Sequence, residues 1–88
     1  MYKRQPELLN VSANDMPKHI KIGRDGLIIE YGPWKGLLLP QVATEYGWDS
    51  ITFLKAVCQK AGLDPNCWQE KDAKIYTFQA QIFSEKEQ

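Results

Sequence analysis

The stretch from Gly26 to Asp49, GLIIEYGPWKGLLLPQVATEYGWD, leaves this chain little freedom in how it folds. Leu27 to Tyr31 is rich in β-branched and aromatic residues, which suit a pleated, half-buried surface. Gly32-Pro33-Trp34-Lys35-Gly36 reads as a hairpin loop, because Pro33 fixes φ early in the turn and both glycines tolerate positive φ. Leu37 to Leu39 returns as the partner strand, and its unbroken leucines predict cover on both faces. Pro40 has no amide hydrogen to donate, so the ladder stops there. Gln41 to Tyr46 then makes one or two helical turns, begun by Pro40 and stopped by Gly47. Asp49 caps the main helix, Ser50 to Ala61.

On that helix Ile51, Leu54, Val57, Cys58 and Ala61 fall on one stripe at helical spacing, away from Thr52, Lys55, Gln59 and Lys60. Gly62 and Leu63 fit a left-handed C-terminal cap with its apolar contact. Asp64-Pro65 reads as a second cap, starting a short turn that contains Trp68. Upstream, Glu7 to Ser12 predicts a short strand and Ser12 to Pro17 a turn-rich segment. His19 to Gly23 alternates weakly around Ile20 and Ile22, predicting another strand closed by Arg24-Asp25-Gly26. Downstream, Ala73 to Phe83 predicts a long strand, with Tyr76, Phe78, Ala80 and Ile82 on one face and Thr77, Gln79 and Gln81 on the other. The order predicts an α+β fold: a mostly antiparallel sheet with one main helix and short helical turns packed on it. The domain spans residues 7–85, between tails at 1–6 and 86–88.

With 88 residues, 43% hydrophobic and 25% charged, the chain has the composition of a small globular domain, or of part of a larger one. Eleven basic residues balance eleven acidic ones, so no long-range field draws in nucleic acid or anionic lipid. Near-zero net charge favours self-association or a protein partner instead. No apolar run approaches the length of a membrane span, and MYKRQPELLN lacks the apolar core of a secretory signal. Cys58 and Cys67 are too few for a disulfide framework. A cytoplasmic protein with no membrane association is the expectation.

The residues offer little chemistry. Cys58 lies on the apolar stripe and Cys67 in a turn where it should be more exposed; their spacing matches no zinc pattern, and structural filler is the favoured role. Lys18, His19, Lys21 and Arg24 form the most basic cluster and are candidate contacts for a nucleic-acid backbone. Asp15 and Asp25 flank the cluster, however, and the strand spacing favours a solvated sheet edge. Trp34 and Lys35 at the hairpin tip are candidate partner contacts; equally, Trp34 folds back over its own hairpin. No paired carboxylates, no Ser-His-Asp or Cys-His set and no phosphate-cradling glycine spacing can be placed. No complete catalytic site, metal or cofactor is expected within these positions.

Residue order says more. Residues 23–49, GRDGLIIEYGPWKGLLLPQVATEYGWD, resemble the second half of the AMMECR domain family. The likeness continues through FLKAVCQKAGLDPNCW (53–68) and KIYTFQAQIFSE (74–85), and its start is visible at Asn10-Val11-Ser12, so it covers nearly everything from about Leu9 to Glu85. The resemblance implies an α+β fold of two subdomains in a family without an established activity. Its prokaryotic members are called AmmeMemoRadiSam system protein A, which implies Memo-like and radical SAM proteins as partners. The family's glycine- and cysteine-containing LRGCIG motif lies in the first half of the domain, and no position here matches it. The expectation is therefore a C-terminal portion whose first partner is the missing N-terminal half. Leu37, Leu38, Leu39, Pro40, Gln41 and Val42, with Gly47, Trp48 and Asp49, carry over as a conformational signature. Gln41 is placed to hydrogen-bond across to the other half or to a ligand. Two further readings follow: the supporting half of an enzyme whose catalytic cysteine motif lies in the missing half, and a weak nucleic-acid-binding module.

Overall fold

The computed structural model describes residues 6–79. Four strands, β1 (Glu7–Leu8), β2 (Gly26–Tyr31), β3 (Trp34–Leu38) and β4 (Lys74–Phe78), form one sheet in the order β1-β4-β2-β3. Every pairing in it is antiparallel. Two helices, α1 (Pro40–Tyr46) and α2 (Ser50–Lys60), and 3-10 turns at Met16–His19 and Cys67–Gln69 complete an α+β fold.

The β2–β3 hairpin is tighter than the sequence predicts. Tyr31 pairs with Trp34, so the chain turns on Gly32-Pro33 alone, and Gly32 takes φ 59°. Positive φ at the first turn position matches the twist of the flanking strands, and glycine reaches it without a Cβ penalty. Trp34, Lys35 and Gly36 thereby become strand residues. β2 pairs on its other side with β4, Ile29 opposite Ile75 and Ile28 opposite Tyr76.

Local signals set the helices. Pro40 occupies the first turn of α1, and Gly47 ends it in the left-handed conformation at φ 68°. The Asp49 carboxylate accepts from the Thr52 amide at 2.8 Å, capping α2. At the far end the Leu63 amide returns to the Cys58 carbonyl at 2.9 Å past left-handed Gly62. Asp64 accepts from the Asn66 amide at 2.8 Å, and the second 3-10 turn starts only at Cys67.

The core lies between α2 and one face of the sheet. Phe53, Leu54, Val57 and Cys58 are fully buried with Leu27, Ile29 and Ile75. Each large side chain moved out of water in this way contributes about 1.5–3 kcal/mol. Phe53 belongs to the stripe, whereas Ile51 is 44% exposed; the buried arc is centred one position further round the helix than expected.

Other expectations need correction. His19 to Gly23 is not a strand: the Lys21 amide donates to the Asp25 carboxylate at 2.9 Å and the Asp25 amide to the Lys21 carbonyl at 2.9 Å, closing a turn instead of a ladder. Ile20 and Ile22 still pack on the core, so their apolar character is used without strand geometry. The first strand is confined to Glu7–Leu8. The predicted final strand is present at Lys74–Phe78, and its positions 80–83 lie outside the described residues, as do residues 1–5 and 86–88.

Candidate functional site

Alternation along the strands divides the sheet into two unlike faces. Leu27 and Ile29 of β2 and Ile75 of β4 point into the core, so Ile28, Glu30 and Tyr76 point the other way. Register then lines up one row across all four strands, with Leu8 opposite Tyr76, Tyr76 opposite Ile28, and Ile28 opposite Leu37. Directly opposed side chains stand about 4.5–5.5 Å apart at Cβ, so the row is a continuous apolar surface. Leu8 is 47% and Leu37 37% exposed, while Ile28 and Tyr76 are half-buried. Pro6, Ile28, Glu30 and Tyr76 border an open depression of about 250 Å³ there. Next along the face a cross-strand ion pair, Lys35 Nζ to Glu30 Oε2 at 3.7 Å, gives the row a polar margin.

Within the described residues, Leu37 to Leu39 is covered on one face of the sheet only. Leu37 points outward, Leu38 packs against the core, and Leu39 leaves the sheet as the residue preceding α1, 39% exposed. Three leucines in a row here mark a strand that ends.

The remaining candidates fall in separate places. Trp34 and Lys35 project to opposite sides of β3, so they do not make one epitope. The Trp34 ring lies over Gly32, 3.8 Å from where a Cβ would stand, yet it remains 50% exposed. Pro40, Gln41, Val42, Gly47, Trp48 and Asp49 form the corner between α1 and α2. Gln41 is exposed on the first turn of α1, and its carbonyl accepts from the Thr44 hydroxyl at 2.9 Å. Trp48 stacks on Tyr46 with ring centroids 5.1 Å apart and meets Phe53 at 6.4 Å, which fixes the corner on the core.

The basic cluster is partly engaged. Lys18 pairs with Asp15 at 3.7 Å. Arg24 Nε donates to Asp25 Oδ1 at 2.8 Å and its terminal nitrogen to Oδ2 at 3.0 Å. His19 and Lys21 are exposed on the 3-10 turn and the turn after it, not on a sheet edge. Asp25 is 1% exposed, a burial that sequence did not suggest. Desolvation opposes its charge, but the Arg24 guanidinium, the Lys21 amide and Gln79 outweigh that and hold the carboxyl below its ordinary range.

Cys67 is also more buried than expected, at 5% exposure, in the same core cluster as Cys58. Burial pushes both thiols up and away from the reactive thiolate. Among the described residues no cluster of His, Cys, Asp and Glu is arranged to hold a metal ion, and no helix is long and apolar enough to cross a membrane.

The bare sheet face, the hairpin and the α1–α2 corner can now be set beside known proteins. The AMMECR1 family model matches residues 4–83. The chain belongs to the AMMECR1 family. A protein of Methanocella arvoryzae is 61% identical over 83 residues, covering 94% of this chain and 42% of its own length. One from Pyrococcus furiosus is 56% identical over 81 residues, covering 92% of this chain and 39% of its own. The crystal structure of an uncharacterized Pyrococcus horikoshii protein superposes with a TM-score of 0.84 at 51% identity, covering 86% of this chain and 37% of that one. This AMMECR1 chain thus spans about two-fifths of the length of the relatives it matches.

Proposed function

We propose that this AMMECR1 chain works by protein contact, its outer sheet face seating against the complementary part of an AMMECR1 domain. The observation that carries the reading is the row Leu8, Tyr76, Ile28 and Leu37, an apolar surface left partly open on one side of a sheet whose other side is filled. Contiguous exposed apolar surface of this type marks interaction sites. The relatives carry roughly as much sequence again and more beyond the matched region, which supplies an occupant of the right kind. In this reading the chain is the C-terminal portion of the domain. Memo-like and radical SAM proteins are the wider partners, as the name of the prokaryotic family members implies. Its role is to support whatever chemistry the complementary part carries, with Gln41 exposed beside the hairpin exit. Pairing of Lys18 and Arg24 with carboxylates weighs against a nucleic-acid surface.

The test is co-expression of the tagged chain with the unmatched segment of the Methanocella arvoryzae relative. The two should co-purify, and Leu37→Glu should abolish co-purification while leaving the circular dichroism spectrum of the chain unchanged. Failure of the wild-type chain to capture the segment, or equal capture by Leu37→Glu, would overturn the proposal.

A further inference from the structure

The sheet order β1-β4-β2-β3 puts β3 at an edge, with no strand beyond it among the described residues. The hairpin decides which of its backbone groups face outward. Tyr31 and Trp34 pair across Gly32-Pro33, and in an antiparallel ladder such pairs alternate between bonded and non-bonded. The non-bonded arrangement would call on an amide hydrogen that Pro33 lacks, so Tyr31 and Trp34 are a bonded pair. Alternation then makes Ile29 with Gly36, and Leu27 with Leu38, the next bonded pairs. Lys35 and Leu37 lie between them, so their N–H and C=O groups turn away from β2 toward the open edge. Among the described residues neither backbone finds another hydrogen-bond partner.

This edge is weakly defended. Edge strands of stable monomers carry charges, prolines or bulges that block a further strand. The register of β2 with β3 runs without a bulge. The single charge on β3, Lys35, reaches back across the sheet to Glu30 at 3.7 Å, and Gly36-Leu37-Leu38-Leu39 adds none. Pro40 comes only after the strand has ended.

We propose that β3 receives a fifth strand, an extended segment from the complementary part of an AMMECR1 domain, hydrogen-bonded to the Lys35 and Leu37 backbone. The inference rests on the sheet-face reading and says how the partner is held. In strand addition the main chain supplies affinity and alternate side chains supply selectivity. Two observations favour this occupant. Leu37 is at once the last residue of the outer apolar row and one of the two open backbone positions, so an added strand prolongs the row without a break. The residue it sets beside Leu37 is therefore apolar. The relatives also carry more chain outside the matched region than within it, which supplies the segment.

The test reads single amides by hydrogen exchange in NMR spectra. It compares the 88-residue chain alone with the chain co-expressed with the unmatched segment of the Methanocella arvoryzae relative. In the chain alone the Trp34 and Gly36 amides should be protected by β2, and those of Lys35 and Leu37 should exchange fast. In the complex the Lys35 and Leu37 amides should slow by about 100-fold or more. Lys35→Pro removes one outward amide and spares the ladder to β2, so it should abolish capture with an unchanged circular dichroism spectrum. Lys35→Ala, which loses only the ion pair with Glu30, should still capture the segment. A complex whose Lys35 and Leu37 amides still exchange fast, or equal capture by Lys35→Pro, would overturn the strand addition and leave the sheet-face reading standing. No complex at all would overturn both. Protection of the two amides in a homodimer of the chain alone would give the edge to a second copy and overturn the proposal.

Discussion

Gly36 in β3 lies beneath Ala61 at the end of α2: a Cβ on Gly36 would stand 2.9 Å from the Ala61 nitrogen, 3.0 Å from the Ala61 Cβ and 3.0 Å from the Val57 carbonyl oxygen. Two of those three neighbours are backbone atoms, which cannot swing aside as a side chain can. Gly36→Ala should lift the helix from the hairpin and cost about 1–3 kcal/mol, the range for overpacking a core. The urea midpoint of unfolding measures it. Gly47→Ala meets no atom within 4 Å and should cost about 1–2 kcal/mol through its left-handed φ of 68° alone.

Asp25 should make stability fall in acid. Its carboxyl is held below the ordinary 3.8, so the unfolded chain binds the proton more readily than the folded one. The stabilisation is present above that unfolded value and is lost as pH falls through the lower folded value. Asp25→Asn should flatten the loss between those limits, leaving a residual slope from Asp49, whose carboxyl is lowered by its bonds to Thr52. Asp25→Ala, which strips the acceptor from the Lys21 amide and Arg24, should cost about 1–3 kcal/mol at neutral pH. Thermal melts from neutral pH down through the acid range check all three.

The two faces of the hairpin should respond in opposite ways to substitution. Ile29→Ala opens a cavity under α2 and should cost about 2–5 kcal/mol. Leu37→Glu, on the outer row, should change the stability of the isolated chain by no more than about 0.5 kcal/mol. Paired denaturation curves for the two variants measure the contrast.

Features written in short stretches of sequence were legible. Pro40, Gly47, Asp49 and Gly62 mark helix ends through their own backbone and capping chemistry, and the structure uses each of them in that way. What depends on distant partners was hidden. Leu37 reads as buried until the register sets it in the outer row, and Ile22 reads as strand until Asp25 claims the Lys21 amide. No spacing rule announces that Gly36 packs beneath Ala61, or that Cys67 is buried in the core. The residues of the candidate surface come from strand pairing, which single-chain periodicity does not contain.

Size-exclusion chromatography with light scattering is the most direct measurement, made on the chain alone and after co-expression with the unmatched segment of the Methanocella arvoryzae relative. One particle with the summed mass of the two polypeptides is the predicted result. A chain that elutes at its own monomer mass in both samples would contradict a role that lives on the outer sheet face.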